Sequence, residues 1–184
     1  FTLLLSGIST CRKMPGIEKH MGYEKLYECP EYADCEKVAD KLEELFGIDS
    51  KQTLVKACFE RFSGCKDYEQ FMTFWKDAPL FDISKLNEEG KKAFEFCKDL
   101  AYNFYPLVEE KGFYAWDINE RIGLCRHAFA CGLITEQDFW DITEIWVRLA
   151  QVFYSSFEEY AVSCICGAMY EMGRHNLDLE EFFN

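Results

Sequence analysis

Apolar residues recur along this chain with the spacing of helices. Between about Glu31 and Gly47 they return every three or four positions, and acidic residues occupy the opposite face. This pattern predicts an amphipathic helix that ends at Gly47. The alternation typical of strands is essentially absent, and no internal repeat is visible. The chain is therefore predicted to be all-α.

Further helices are marked by their start and stop signals. Thr135 with Asp138, and Ser156 with Glu159, resemble capping pairs in which a hydroxyl and a carboxylate satisfy the first backbone N–H groups. Pro106 is expected to kink or end a long helix early, because proline lacks an N–H donor. These signals predict helices before Pro106, after Thr135 and after Ser156.

The segment 135–154 is the most apolar of these predicted helices. Its polar residues form one narrow strip, and apolar side chains cover most of the remaining circumference. A helix of this kind is normally surrounded by other helices. We therefore expect a compact globular multi-helix domain over residues 1–174, with a central buried helix near 135–154 and an acidic C-terminal tail at 175–184. The strip consists of Asp141, Glu144, Arg148 and Gln151.

A helix that is predicted from about Asp117 to Cys131 combines apolar and charged residues. On a helical projection Asp117 and Arg121 fall between two apolar bands, whereas Arg126 and His127 point to the polar side. Asp117 is also a candidate cap for this helix. Together with Trp116, the Asp117–Arg121 pair is either the floor of a ligand pocket or an internal ion pair that fixes how the helix docks. We favour the second interpretation.

The charge balance limits the choice of partners. The chain has a net charge of −13, which argues against nucleic-acid binding and favours attraction to a basic protein. Residues 28–49 contain eight acidic residues against two lysines. Four of the acidic residues form one stripe, which is either a solvated helix face or a docking surface for a basic partner. The stripe consists of Glu36, Asp40, Glu43 and Glu44.

Residues for metal binding or catalysis do not assemble into a known pattern. There is no CxxC pair among the ten cysteines, and Cys164 and Cys166 lie roughly 200° apart on a helix. The three histidines are scattered, and phosphate-loop, HExxH and EF-hand patterns are absent. We therefore predict a non-enzymatic protein without metal or cofactor. The thiols are expected to be small buried hydrophobes in a reducing cytosol.

The first residues, "FTLLLSGISTC", form only a short apolar run without a preceding basic stretch. This pattern favours an amphipathic helix over a targeting segment. Apolar runs elsewhere also fall short of the roughly 20 residues that a membrane span requires. We expect a cytoplasmic protein without membrane association.

Two motifs resemble the bacterial family called domain of unknown function 1266. They are "AWDINERIGLCRHAFACGLITEQDFWD" and "SSFEEYAVSCICGAMYE". An upstream segment, "LFGIDSKQTLVKACFERFSG", is similar to the family's segment around a Trp-Gly-Ile turn. Phe46 and Phe157 stand where the family pattern has Trp, and Glu120 stands at a position that is often basic. The resemblance implies an all-helical bacterial cytoplasmic domain and supplies no catalytic residue. The residues that match the pattern are Trp116, Asp117, Arg126, Gly132, Ser156, Glu158 and Gly167.

These observations leave three hypotheses for the function. The leading one is an acidic interaction protein, most concretely an immunity protein that neutralises a basic bacterial toxin such as a nuclease. The second is a small-ligand-binding domain or enzyme with a pocket near Trp116, Asp117 and Arg121. The third is a regulatory protein–protein interaction module.

Overall fold

The computed structural model describes residues 1–7, 35–60, 71, 73–74 and 82–174. The chain divides into two units, each built from two separate segments. The first unit comprises Phe1–Gly64 and Ile118–Phe153, and the second comprises Cys65–Asp117 and Tyr154–Asn184. That residues 1–174 form a single domain stays a prediction. The predicted acidic tail at 175–184 lies outside the described residues.

The described residues are mainly helical, and they contain no strand. The prediction of an all-α protein is therefore confirmed. Besides two short 3₁₀ turns at Ile83–Lys85 and Glu109–Lys111, the helices are α1 Thr2–Leu5, α2 Cys35–Phe46, α3 Lys51–Glu60, α4 Glu88–Val108, α5 Tyr114–Ala130, α6 Glu136–Phe153 and α7 Phe157–Arg174.

Two helix boundaries of the first unit lie where the sequence signals predict. Gly47 has φ 67°, and its N–H donates to the carbonyl oxygen of Glu43 across 2.9 Å, which ends α2. At the start of α6, the N–H of Asp138 donates to Thr135 Oγ1 over 3.2 Å, and the N–H of Thr135 donates to Asp138 Oδ2 over 3.0 Å. This reciprocal pair is the predicted capping box.

The second unit packs α4 against α7. Phe94, Cys97 and Ala101 are buried on α4, at the three- and four-residue spacing that the sequence predicts. Pro106 lies inside α4, which ends two residues later at Val108. The start of α7 is also as predicted, because the N–H of Glu159 donates to Ser156 Oγ across 3.1 Å.

Burial in the first unit differs from the prediction of a central helix at 135–154. One face of α6 is buried, but Ile145 and Val152 on its other side are exposed, and so is the predicted polar strip. Residues 121–128 of α5 are instead all buried. Helix α5, although it carries several charged and polar residues, is therefore buried on all sides over this stretch. The more apolar α6 leaves part of its surface exposed.

Candidate functional site

The acidic stripe lies on the solvent side of α2. Asp40, Glu43 and Glu44 are exposed, whereas Val38 and Leu42 on the opposite face are buried. The fourth predicted member, Glu36, belongs to α2, but its side chain lies outside the described residues. The structure therefore places three neighbouring carboxylates on one open helix face.

Lys41 forms an ion pair with one of these carboxylates. Lys41 Nζ is 2.5 Å from Glu44 Oε2, and both side chains are partly or largely exposed. An exposed pair of this kind contributes little to stability, typically about 0–1 kcal/mol. The stripe keeps a net negative charge, because Lys41 offsets only one of its carboxylates.

Trp116 is buried in the second unit against α7. A Cβ atom built on Gly167 would lie 2.2 Å from Trp116 Cβ and 2.9 Å from Phe113 Cβ. Contacts this short are not tolerated, so the tryptophan can pack here only because position 167 has no side chain. Both residues match the family motifs, and the structure explains why they occur together.

Arg121 is buried in the first unit, where it bridges α5 and two neighbouring helices. Its Nε donates to the carbonyl oxygen of Cys58 over 2.8 Å, and its guanidinium carbon lies 5.5 Å from the centre of the Trp146 ring. A cation over an aromatic face is attracted by the ring quadrupole. These contacts connect Arg121 to α3 and α6 and favour a structural role for its side chain.

Asp117 is half-buried and lies in the first turn of α5. The prediction that it caps the helix is wrong, because α5 begins three residues earlier, at Tyr114. The first-turn position still favours a carboxylate, since the N-terminal end of a helix carries partial positive charge. The ion pair between Asp117 and Arg121 stays a prediction.

The placement of Arg126 and His127 on a polar side is also wrong. Their exposed fractions are 1% and 6%. The residue that follows α1, Ser6, is fully buried and accepts a hydrogen bond from Arg126 Nη1 over 3.3 Å. The helical projection of α5 cannot reveal this contact, because Ser6 is 120 residues away in the sequence.

His127 is held within its own helix. Its Nδ1 lies 2.6 Å from the carbonyl oxygen of Gly123, one turn earlier, so this nitrogen carries the proton and donates. Burial lowers the pKa of His127, the bond to Gly123 opposes this effect, and the charge of Arg126 adds a smaller lowering; together they leave the pKa at about 4. His127 is thus a neutral donor at neutral pH.

Sequence reasoning missed a hydroxyl cluster in the second unit. Ser163 Oγ donates to the carbonyl oxygen of Gly112 over 2.8 Å, so the hydroxyl of Tyr154, 2.8 Å away, must donate to Ser163. The hydroxyl of Tyr160 donates to the carbonyl oxygen of Ala115 over 3.1 Å. Burial raises the pKa of both tyrosines, which keeps the hydroxyls protonated. The cluster anchors the start of α5 to α7.

The arrangement of titratable groups indicates no metal centre in the described ranges. There, no three His, Cys, Asp or Glu side chains are grouped to hold a metal ion. Cys58, Cys97, Cys125, Cys164 and Cys166 are buried and form no disulfide. Burial raises the pKa of Cys166 to about 12, so its thiol is protonated. The prediction that most thiols are small core residues agrees with these positions.

None of the described helices combines the length and the apolar character of a membrane-spanning helix.

The architecture defines an all-helical protein whose family motifs lie on α5, on the start of α6 and on α7. Residues 37–182 match the family described as Protein of unknown function (DUF1266), and the chain belongs to this family. The resemblance found in the sequence is thereby confirmed. No curated protein and no solved structure matches the chain.

Proposed function

We propose that this protein is a non-enzymatic interaction protein whose acidic surface binds a basic protein partner. The observation that supports the proposal is the open face of α2, where Asp40, Glu43 and Glu44 are exposed above a buried apolar face. Because Val38 and Leu42 fix the helix to the core of the first unit, the carboxylates are presented on a rigid element. A rigid charged surface orients a partner with little loss of conformational entropy.

The most concrete version is an immunity protein that neutralises a basic bacterial toxin, such as a nuclease, by covering its active site. A nuclease binds phosphates through clustered Lys and Arg, so its active-site surface is complementary to an acidic helix face. The net charge of −13 adds long-range attraction, which speeds the encounter and depends on salt. Such a complex acts in the cytoplasm of the cell that makes the toxin.

The partner is identified by affinity capture from the native host with the full chain as bait. The proposal predicts a stoichiometric basic protein, and one encoded beside this chain would identify the pair. A captured partner that is acidic, or capture that resists high salt as fully as low salt, contradicts an electrostatic docking surface.

The surface itself is tested by reversing four charges. We expect the variant with Glu36, Asp40, Glu43 and Glu44 replaced by Lys to associate more slowly and with weaker salt dependence. The measurement is the association rate at several ionic strengths. Unchanged kinetics would exclude α2 as the docking face.

A matched control separates the stripe from the overall charge. Four acidic residues of α4 are also exposed, and replacing them with Lys changes the net charge by the same amount. Docking through α2 predicts that this control keeps most of the wild-type association rate. Equal losses in both variants would show that only the overall charge matters. The control positions are Glu88, Glu89, Glu95 and Asp99.

A further inference from the structure

Two cysteine thiols face each other in the core of the first unit. Cys58 on α3 and Cys125 on α5 are both fully buried, and their sulfur atoms are 4.0 Å apart. At this distance one thiol can donate a weak hydrogen bond to the other. The pair is therefore in direct contact although 66 residues separate the two positions in the sequence.

The backbone beside the pair is held in place. The carbonyl oxygen of Cys58 accepts the 2.8 Å hydrogen bond from Arg121 Nε, and Arg121 lies one helical turn before Cys125. This bond joins α3 to α5 next to the two sulfur atoms. A disulfide has an S–S distance of about 2.05 Å, so each sulfur needs to move by roughly 1 Å. Rotation about a Cα–Cβ bond moves a cysteine sulfur by distances of this order.

We propose that Cys58 and Cys125 are a redox pair that closes a disulfide between α3 and α5 on exposure to peroxide and reopens on reduction by a dithiol. The pair is then a reversible latch in the core of the first unit. This role differs from the inert packing that the sequence predicts for the thiols.

The chemistry of closure is balanced by one peroxide molecule. One thiol is deprotonated, and its sulfur attacks a peroxide oxygen, which gives a sulfenic acid and one water. The second sulfur then attacks the sulfenic sulfur, and the departing hydroxide takes the second thiol proton to form another water. Two electrons pass from the sulfur atoms to the peroxide oxygens. A dithiol reductant returns them by thiol–disulfide exchange.

The surroundings select for a small oxidant. The hydrogen bond with Cys58 and burial both raise the pKa of Cys125, so its thiol is protonated in the resting state. Complete burial also excludes bulky thiol reagents. Peroxide is small enough to enter during brief local opening, and we expect closure to be slow compared with that of an exposed thiol.

Closure changes the connectivity of the chain. The cross-link would close the loop from residue 58 to residue 125, which contains all of Cys65–Asp117 of the second unit. Closing a long loop restricts the unfolded chain, so the oxidised protein should unfold at a higher urea concentration. The stability of the fold would then respond to the redox state.

The test uses the full chain, reduced and then treated with hydrogen peroxide without denaturant. Remaining thiols are blocked after denaturation, and peptide mapping by mass spectrometry identifies the cross-linked cysteines. We expect a Cys58–Cys125 cross-link, a loss of two thiols that a dithiol reverses, and an upward shift of the urea midpoint. Cross-links that join other cysteines instead, or a pair that oxidises only in urea, would overturn the proposal.

Cysteine-to-serine variants test whether the change in stability comes from this pair. Cys125→Ser should abolish the peroxide-induced shift of the urea midpoint, whereas Cys166→Ser, at another buried cysteine, should keep it. A shift that persists in Cys125→Ser overturns the proposal. Should Cys125→Ser fail to fold, the peptide map of the wild-type protein still decides the outcome, because it needs no variant.

Discussion

Replacing the buried histidine of α5 should change how the stability of the protein depends on pH. His127 is buried and donates through Nδ1 to the carbonyl oxygen of Gly123. Burial lowers its pKa to about 4 from the ordinary value of 6.5. His127→Gln replaces the ring with a neutral amide that still has donors, so the group that titrates is removed.

The direction of the pH effect on stability follows from the protons that His127 binds in the folded and unfolded states. Between pH 6.5 and pH 4 the unfolded chain binds a proton at His127 and the folded protein does not, so acidification favours unfolding. The free energy of unfolding is therefore not reduced by His127 above pH 6.5, and it falls as the pH drops from 6.5 towards 4. With these two pKa values, the loss between pH 7.5 and pH 5 is about 2 kcal/mol.

The assay is urea denaturation under reducing conditions at half-unit steps from pH 7.5 to pH 5. The wild-type protein should lose about 2 kcal/mol more than His127→Gln across this range, whatever the absolute stability of the variant. A hydrogen bond from Lys51 lowers the pKa of Asp138 to about 2, and one from Lys111 does the same for Glu159. Protonation of these two carboxylates therefore changes the stability mainly below pH 5. Equal pH slopes in both proteins would refute the argument.

Three further substitutions should change the free energy of unfolding, measured by urea denaturation. Gly167→Ala forces a Cβ to within 2.2 Å of Trp116 Cβ, and the overpacking should exceed the gain in helix propensity and destabilise by about 2 kcal/mol. Glu109→Gly should stabilise by about 1 kcal/mol, because Glu109 has φ 48° and ψ −138°, a conformation that suits glycine. Thr135→Val removes the hydroxyl that caps α6 at Asp138 and should cost about 1 kcal/mol.

Control substitutions accompany two of these predictions, and each of the three has an outcome that would contradict it. Gly7→Ala adds a methyl group with nothing within 4 Å, so it should be close to neutral. Glu110→Gly, next to Glu109 but without positive φ, should destabilise slightly. A neutral Gly167→Ala would contradict the close packing of α7 on Trp116. A destabilising Glu109→Gly would mean that the backbone at Glu109 is not strained. If Thr135→Val leaves the free energy of unfolding unchanged, the Thr135 hydroxyl does not stabilise the start of α6.

Features set by neighbouring residues were predictable from the sequence. Val38 and Leu42 are buried and Asp40 is exposed on α2, because residues three or four apart share one side of a helix. Gly132 ends α5 with φ 73°, and the N–H of Leu133 donates to the carbonyl oxygen of Ala128 over 2.9 Å. Such caps depend only on the local backbone.

Features set by distant residues were not predictable in this way. A helical projection treats the polar side of α5 as facing water, but Arg126 is buried and donates to Ser6. The bond from His127 to Gly123 satisfies one ring nitrogen and so lowers the cost of burying the ring. Ser163 carried a weak signal, since a hydroxyl in a largely apolar helix often has a buried partner. Its acceptor, Gly112, lies 51 residues away, and no pattern in the sequence connects the two.

The division of the chain into interleaved segments has a consequence for its synthesis. The first unit needs Phe1–Gly64 together with Ile118–Phe153, and helix α6 is the last part of it to be made. At ribosomal rates of about 5–20 residues per second, the first segment waits roughly 5–18 s for α6. During this time Phe59 of α3 lacks its contact with Trp146 of α6, whose ring centre lies 5.3 Å from that of Phe59 in the folded protein. Nascent-chain binding by chaperones should therefore be strongest in this interval and fall once α6 has emerged.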